Sequence, residues 1–200
     1  MVSKEKWDER FAVKDYVYGT EPNSFFKNEI DKLKPGRGLF VGEGEGRNAI
    51  YAAKLNWEVD ALDISEEAKK KAEKLAKNNN VTINYEVLDI KDCIPKTDYY
   101  DLAVIIFAHF EPEIREKIHL DIVQSLKKGG RIILEVYEKE QLKYKSGGPK
   151  IPELLYSLED VYTDFNELDV ALFSKEIITL NEGILHQGKA SVIRYVGTKT

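Results

Sequence analysis

The chain has 200 residues and a mass of 22.9 kDa, the size of one domain or at most two small ones. Its composition, 42% hydrophobic and 32% charged, excludes a disordered protein, and its net charge of −5 argues against a nucleic-acid partner. No apolar run is long enough to span a bilayer, and no secretory signal follows Met1. The single cysteine, Cys93, fits a reducing compartment. We therefore expect a cytoplasmic protein that binds neither membranes nor nucleic acids.

Apolar runs alternate with amphipathic stretches through the middle of the chain. The runs predict five strands with helices between them: Leu39–Val41, Trp57–Leu62, Thr82–Leu88, Tyr100–Phe107 and Arg131–Tyr137. The fourth run has no polar break after its first residues, which is typical of a strand covered on both faces. This order predicts an α/β fold with a doubly wound, mostly parallel sheet and right-handed crossovers.

Local signals predict the ends of the helices in this region. Ser65 is expected to cap a helix that ends at Asn78–Asn80, and Pro112 to begin the helix after the fourth strand. The sequence Lys127-Lys128-Gly129-Gly130 is typical of a helix stop, because cations and then glycine favour a helix C-terminus.

Both ends of the chain depart from the alternating pattern. The amino-terminal part predicts helices over Lys4–Lys14 and Pro22–Leu33, and the polar stretch 138–165 predicts a short helix around Glu153–Tyr156. Two further strands, Val170–Leu180 and Leu185–Val196, are separated by a turn signal, so we expect them to pair as an antiparallel hairpin.

A glycine-rich loop, Gly42-Glu43-Gly44-Glu45-Gly46, lies between the first strand and a helix. This is the place where open α/β sheets bind ligands, although a tight turn without a ligand would show the same spacing. A dinucleotide loop has its third glycine where this chain has Arg47. The two loop carboxylates would repel a pyrophosphate by roughly 1–4 kcal/mol per pair. The loop therefore favours a cationic ligand such as S-adenosylmethionine over NAD.

Acidic residues end the next two strands. Asp63 is placed to accept both hydroxyls of an adenosine ribose, since it follows Gly42 by about 20 residues. Its alternative role is that of a turn or capping residue. Ile64 can pack on an adenine face, and Asp89 can accept from the adenine amino group or act only as a turn residue.

The glycine loop and its surroundings resemble a known family. Residues 34–64 are similar to the class I S-adenosylmethionine-dependent methyltransferases, and Gly46-Arg47-Asn48-Ala49 with Tyr51 resembles the tellurite-resistance and thiopurine methyltransferase-like branch. Leu126–Arg131 resembles the lead-in to the fifth strand of that fold. The resemblance implies a Rossmann-like sheet of seven strands with an antiparallel last strand. It also implies S-adenosylmethionine as cofactor, with S-adenosylhomocysteine as product.

The resemblance further implies a set of cofactor-binding residues. The loop glycines would flank the methionine part, the two acids would contact ribose and adenine, and the end of the fourth strand would line the methyl-transfer side. These residues are Gly42, Gly44, Gly46, Asp63, Asp89, Ile90, Phe107 and Ala108. Glu43 stands where the family often has cysteine or serine, and we expect it to strengthen cation binding. Arg47 is expected either to bind the cofactor carboxylate or to be a surface residue.

Two histidines are candidates for a general base, because an imidazole pKa near 6.5 suits that task. His109 follows the fourth strand, and His186 lies in the hairpin turn, where it could instead pair with a turn carbonyl. His119 is expected to be a packing or surface residue. The branch would place His-Arg where this chain has His186-Gln187, which weakens the case for an oxyanion acceptor. No metal site is predicted.

We therefore expect one domain over residues 1–200, with a helical cover (1–34), a cofactor-binding half (35–137) and an acceptor side that includes the hairpin (138–200). The cover resembles that of such enzymes at Asp8-Glu9-Arg10-Phe11 and at Tyr18–Asn23. The expected reaction is methyl transfer to a small-molecule acceptor, such as a thiol or an oxyanion. The alternatives are a non-catalytic S-adenosylmethionine-binding or regulatory module and a nucleotide-dependent oxidoreductase on a Rossmann sheet.

Overall fold

A computed structural model describes residues 3–93 and 95–200 of the chain. Seven strands in these residues form one sheet with the order β3-β2-β1-β4-β5-β7-β6. The strands are β1 Arg37–Val41, β2 Glu58–Asp63, β3 Asn84–Val87, β4 Tyr100–Ile106, β5 Leu126–Tyr137, β6 Asp169–Glu182 and β7 His186–Thr198. The first five are parallel, and β7 pairs antiparallel with both β5 and β6. The predicted doubly wound, mostly parallel sheet with an antiparallel carboxy-terminal hairpin is confirmed.

Helices cover both faces of the sheet. They are α1 Lys4–Phe11, α2 Ser24–Ile30, α3 Arg47–Lys54, α4 Glu66–Asn78, α5 Pro112–Ser125 and α6 Leu158–Phe165. Alternate residues of β4 point to opposite faces, as the pleat requires. Leu102 and Val104 pack in the cluster that contains α2 and α3. Ala103 and Ile105 pack in the cluster that contains α5 and α6. The central strand is thus buried on both sides, as its unbroken apolar run predicted.

The predicted helix ends are partly confirmed. The Ser65 side chain accepts a hydrogen bond from the backbone of the first turn of α4, which ends at Asn78, and Pro112 begins α5. The helix stop assigned to Lys127–Gly130 is wrong, because α5 already ends at Ser125 and β5 begins at Leu126. Leu126 is fully buried and pairs with β4, so core packing makes the chain extended about one turn earlier than the glycines indicate.

The segment between β5 and β6 also differs from the prediction. Residues Pro152–Leu154 form only a 3₁₀ turn, and the α-helix lies further on, as α6. The start of α6 is fixed by a capping box between Ser157 and Asp160. Tyr156 is extended and buried, and its backbone pairs with the end of β5. That pairing excludes the predicted helix around Glu153–Tyr156.

The turn of the β6–β7 hairpin reaches back to the amino-terminal cover. The backbone amides of Ile184 and Leu185 both donate to the carbonyl of Val17, at 3.0 and 3.2 Å. Gly183 packs so closely on this segment that a Cβ there would lie 2.4 Å from the backbone nitrogen of Gly19. The hairpin turn therefore contacts residues 17–19 of the amino-terminal segment. Together they lie over the carboxyl ends of the parallel strands.

Candidate functional site

A cavity of about 390 Å³ opens at the carboxyl ends of the parallel strands, between α1, the hairpin and the segment before α6. It brings together nearly every residue that the sequence singled out. The predicted site residues in its wall are Gly42, Glu43, Gly44, Arg47, Asp63, Ile64, Asp89, Ile90, Phe107, Ala108, His109 and His186. Gly46 is absent from the lining.

The three loop glycines all have a positive φ, but they serve different purposes. Gly42 and Gly44 line the cavity with φ of 64° and 61°, which only glycine adopts without strain. Gly46 precedes α3 with φ of 92°. A Cβ there would lie 2.6 Å from the Ile50 side chain and 2.7 Å from that of Ala72. Gly46 therefore lets α3 and α4 pack closely and does not contact the cavity.

Glu43 holds the helix that follows the loop. Its Oε1 accepts hydrogen bonds from the backbone nitrogens of Asn48 (2.9 Å) and Ala49 (2.8 Å). Burial raises the pKa of Glu43 to about 7, against the lowering effect of those bonds and of Arg47. Among the described residues, its Oε2 has no hydrogen-bond donor. A desolvated carboxyl group with a free oxygen is suited to a cationic ligand, because such a ligand would offset the cost of ionising it.

Asp63 ties the glycine loop to the next strand. Its Oδ2 accepts from the backbone nitrogen of Gly44 at 2.8 Å, and its Oδ1 accepts from that of Ser65 at 2.9 Å. Burial raises the pKa of Asp63 to about 6. The side chain thus acts as a turn residue while it lines the cavity, so its two predicted roles are compatible. Tyr85 holds the loop from the other side, because its hydroxyl donates to the Gly44 carbonyl at 2.6 Å.

Glu45 does not supply free negative charge to the site. Its Oε1 pairs with Lys71 of α4 at 2.8 Å, and its Oε2 accepts from the backbone of Tyr18 at 3.3 Å. Of the two loop carboxylates that were expected to attract a cationic ligand, Glu43 is therefore the one that remains available. Arg47 is only 7% exposed and pairs with Glu182 of the hairpin at 2.8 Å, so its interpretation as a surface residue is wrong.

Apolar walls and one acid form the far end of the cavity, beside β2 and β3. Ile64 and Ile90 both line it. Asp89 lines it too, while its carboxylate accepts from the Lys91 backbone at 3.2 Å and pairs with the Lys91 ammonium at 2.8 Å. Apolar side chains and a carboxylate thus lie together at this end of the cavity.

The prediction that His109 is a general base is not supported by its contacts. Its Nδ1 lies 2.8 Å from the Leu154 carbonyl and must donate to it, and its Nε2 then accepts from the Tyr137 backbone at 3.4 Å. Burial lowers the pKa of His109 to about 4. Both nitrogens are used by the backbone, so this histidine fixes the cavity wall and has no lone pair free for a substrate.

His186 keeps one nitrogen available. Its Nδ1 lies 3.4 Å from Glu182 Oε2, so it donates to that carboxylate, and Nε2 has no hydrogen-bond partner among the described residues. The alternative pairing with a turn carbonyl is not observed. Burial lowers the pKa of His186 more than Glu182 raises it, so the ring is neutral at pH 7.

Many further lining residues were not predicted as site residues, among them these four: Trp7, Arg10, Tyr18 and Tyr137. Arg10 lies over the Trp7 ring at 4.6 Å and donates to the Tyr18 hydroxyl at 3.0 Å. Three of the four belong to the cover segments, whose resemblance to the cover of methyltransferases was the available signal. Tyr137 gives no such signal, because in the sequence it is only the last residue of a strand.

Phe107 has an unusual backbone conformation at the end of β4. Its φ is 55°, a region that non-glycine residues rarely adopt and that often occurs at functional sites. Its ring stacks on Tyr137 with centroids 4.5 Å apart and meets His186 edge-on at 4.9 Å. Phe107, Tyr137 and His186 form the aromatic half of the cavity, as distinct from the end lined by Ile64, Asp89 and Ile90.

The described residues contain neither a metal-binding cluster nor a helix that could span a membrane. Residues 3–93 and 95–200 hold no group of three or more His, Cys, Asp or Glu side chains arranged to bind a metal ion. Their helices are all too short or too polar to cross a lipid bilayer.

The middle of the chain is similar to known methyltransferases. Residues 39–130 match the family described as "Methyltransferase domain". The chain is 32% identical over 131 residues to the ribosomal protein L11 methyltransferase of Dictyoglomus turgidum, a match that covers 62% of this chain and 42% of that protein. The chain thus spans less than half the length of this relative.

Solved structures share the whole sheet. TehB from Haemophilus influenzae superposes with a TM-score of 0.73 at 14% identity, over 98% of this chain and 67% of TehB. The N-methyltransferase NodS from Bradyrhizobium japonicum, solved with S-adenosyl-L-homocysteine, gives a TM-score of 0.70 at 13% identity, over 98% and 97% of the two chains. At these identities the likeness concerns the fold.

The residues of the cavity fit the cofactor of this fold. Glu43 offers a desolvated carboxylate to a cation, Asp63 and Asp89 offer acceptors to ribose and adenine, and Ile64 and Ile90 offer flat apolar surface. Residues 39–130 thus resemble a methyltransferase domain, and the chain shares its fold with a methyltransferase solved with S-adenosyl-L-homocysteine.

Proposed function

We propose that this protein transfers a methyl group from S-adenosylmethionine to a small-molecule acceptor. The observation that carries the proposal is the half-buried Glu43 carboxyl, which has one oxygen without a donor among the described residues and belongs to a glycine loop at the carboxyl end of β1. When bound, the cofactor supplies a reactive methyl group on a positively charged sulfur. Glu43 then offsets positive charge on the methionine part, which NADH does not carry.

The remaining contacts distribute the cofactor along the cavity. In this proposal Asp63 accepts the ribose hydroxyls with the lone pairs that Gly44 and Ser65 leave free. Asp89 accepts the adenine amino group. Of the two arginines in the lining, Arg47 is held by Glu182, whereas Arg10 forms no ion pair with the described residues. We therefore assign the cofactor carboxylate to Arg10 in preference to Arg47.

The aromatic half of the cavity takes the acceptor. Methyl transfer is an in-line displacement in which the protein mainly orients the nucleophile, so positioning is its main task. His186 is the histidine with a free nitrogen, and in this proposal Nε2 accepts the proton of a protic nucleophile. His109 has a structural role there, since the backbone occupies both of its nitrogens.

The finer assignments remain sequence-based parts of the proposal. The tellurite-resistance and thiopurine branch depends on Gly46–Ala49 and Tyr51. The structural likeness to TehB supports the fold and leaves the acceptor open. A cytoplasmic location stays a prediction from the single cysteine.

Calorimetry with S-adenosylhomocysteine and NADH, followed by a radiolabelled methyl-transfer assay over a panel of acceptors, tests the proposal. We expect S-adenosylhomocysteine to bind with an affinity on the order of micromolar, and NADH not to bind. Tight NADH binding without heat from S-adenosylhomocysteine would instead support the oxidoreductase. S-adenosylhomocysteine binding without transfer to any acceptor would support a non-catalytic module.

A further inference from the structure

The Tyr137 hydroxyl is a buried polar group without a hydrogen-bond partner. Three side-chain atoms share this property in the described part of the chain, the other two being Trp57 Nε1 and Asp164 Oδ1. Of the three residues, Tyr137 is the one in the cavity wall. Leaving a buried hydroxyl unsatisfied is costly, so its retention at a ligand cavity points to a partner that arrives with the ligand.

The hydroxyl lies beside His186, under a short glycine segment. A Cβ on Gly147 would be 2.8 Å from the Tyr137 oxygen and 2.7 Å from Cδ2 of His186, the ring carbon bonded to Nε2. Gly147 and Gly148 have φ of 119° and 81°, and the residues that follow line the cavity. The two unpartnered polar atoms therefore converge on a segment without side chains, which a ligand can displace at little steric cost.

Charged groups at this end of the cavity are already paired. Glu182 contacts both Arg47 and His186. Although burial alone would raise it, the pKa of Glu182 is lowered to about 2 by His186 and Arg47, so this carboxylate is ionised. Glu135, which shares the Asn23 side chain with Glu182 as a hydrogen-bond donor, pairs with Arg194 at 2.5 Å. An anion placed beside Glu182 would therefore meet an ionised carboxylate, and the cations that pair with Glu182 and Glu135, Arg47 and Arg194, are already engaged.

The other two cations of the lining, Arg10 and Lys150, have partners of their own, and the proposed function assigns Arg10 to the cofactor carboxylate. Arg10 is bound to the Tyr18 hydroxyl, and Lys150 points to the Tyr144 carbonyl at 3.5 Å in an exposed position. At the inner end the available groups are therefore a neutral imidazole lone pair, a phenol hydroxyl and aromatic rings. His186 Nε2 can only accept a hydrogen bond, and the Tyr137 hydroxyl can donate one.

We propose that Tyr137 and His186 together select the methyl acceptor, and that this acceptor is an uncharged aromatic molecule with an O–H or N–H nucleophile. The inference rests on the proposed function. The acceptor's O–H or N–H donates to His186 Nε2, the Tyr137 hydroxyl donates to a second lone pair of the acceptor, and the ring of the acceptor packs on Phe107. As the acceptor atom bonds to the methyl carbon, the carbon–sulfur bond breaks, its electron pair stays on sulfur, and the proton passes to Nε2.

The test is a calorimetric titration at pH 8 of the full chain saturated with S-adenosylhomocysteine. The uncharged probes are phenol, catechol and benzimidazole, and the anionic probes are tellurite and thiophenolate. The variant is Tyr137→Phe, which keeps the ring and removes the hydroxyl. The control is Tyr156→Phe, since Tyr156 is equally buried but lies outside the lining, with its hydroxyl 3.4 Å from His119 Nε2.

We expect at least one uncharged probe to bind and Tyr137→Phe to weaken its binding about tenfold or more. The variant should leave S-adenosylhomocysteine affinity unchanged and should not lower the unfolding midpoint, because no bond within the protein is lost. Tyr156→Phe should leave probe binding unchanged.

The inference is overturned if only the anionic probes bind, if no probe binds, or if Tyr137→Phe binds the uncharged probes like the wild type. Failure of the wild type to bind S-adenosylhomocysteine is a separate result, visible in the first titration, and it would overturn the proposed function together with this inference.

Discussion

Replacing Asp63 with asparagine separates cofactor binding from folding. In the ligand-free protein the carboxylate accepts from the backbones of Gly44 and Ser65. Asparagine keeps one acceptor and turns its amide group towards the other N–H, so one hydrogen bond to a charged group is lost, at a cost of roughly 1.5–3 kcal/mol. Asp63 is therefore hydrogen-bonded within the protein even when no ligand is bound.

A second effect opposes that loss. Burial raises the pKa of Asp63 to about 6 from the model-compound value of 3.8, and each pKa unit corresponds to about 1.4 kcal/mol. Ionising the buried carboxyl at pH 8 thus costs up to about 3 kcal/mol, and asparagine removes this cost. Because the pKa of about 6 already includes the hydrogen bonds from Gly44 and Ser65, the removed cost offsets the lost bond, and asparagine should not lower the free energy of unfolding by more than about 1 kcal/mol.

Binding has no such compensation. The ribose hydroxyls lose acceptors on a charged group, each worth about 1.5–3 kcal/mol. With water partly filling the gap, we expect a net loss of roughly 2–4 kcal/mol, which is about a 30- to 1,000-fold rise in the S-adenosylhomocysteine dissociation constant.

Urea unfolding of the ligand-free protein and calorimetry with S-adenosylhomocysteine measure the two quantities. The matched control is Asp60→Asn, because Asp60 lies on the same strand, accepts from Asn84 at 2.9 Å and is outside the cavity lining. The reasoning is refuted if Asp63→Asn binds S-adenosylhomocysteine within about threefold of the wild type, or if Asp60→Asn weakens binding equally.

Three further predictions follow from the same geometry. The raised pKa of Glu43, about 7, means that the folded state holds its proton longer than the unfolded state, so stability should fall as pH rises from about 4.5 to 7, and Glu43→Gln should flatten this dependence in urea unfolding. Gly46→Ala should lower the unfolding midpoint by several degrees because the added methyl group clashes with α3 and α4. Gly129→Ala has open space around it and should lower the midpoint less, through the strain of a positive φ alone. Hydrogen exchange in residues 3–24 and 138–165 should slow when cofactor and acceptor bind, because these segments cover the cavity.

Each of these predictions has a contrary result. A stability profile of Glu43→Gln with the wild-type slope would mean that other groups set the pH dependence. Equal effects of alanine at Gly46 and Gly129 would mean that backbone strain, and not packing of α3 on α4, is the cost. Unchanged exchange in both covering segments would contradict their role as a cover.

Features that depend on neighbours in the sequence were predictable. The spacing from Gly42 to Asp63 places both at adjacent strand ends, because β1 and β2 pair in parallel. The cap of α4 was predictable for the same reason, because the Ser65 side chain accepts from the backbone nitrogen of Ala68, only three residues further on. Such local patterns suffice to place the cofactor half of the cavity.

Roles that depend on distant partners could not be predicted. Glu45 carries the same charge as Glu43 in the sequence, yet Lys71 and Tyr18 neutralise and bury it. Burial lowers the pKa of His109, and backbone groups of residues 137 and 154 occupy both of its ring nitrogens. In each case the chemistry of the side chain is decided by a tertiary contact that no local pattern encodes.

The ion pair between Arg47 and Glu182 joins the two parts of the protein to which we assign cofactor and acceptor binding. Arg47 begins the helix after the glycine loop, and Glu182 also holds His186 and accepts from Asn23 at 3.1 Å. Binding of a cofactor that fixes the position of the glycine loop would therefore also fix the His186 imidazole, which in our proposal contacts the acceptor. This connection favours an ordered kinetic mechanism in which the cofactor binds first. The acceptor then enters a cavity in which His186 is already positioned and the cofactor is already bound.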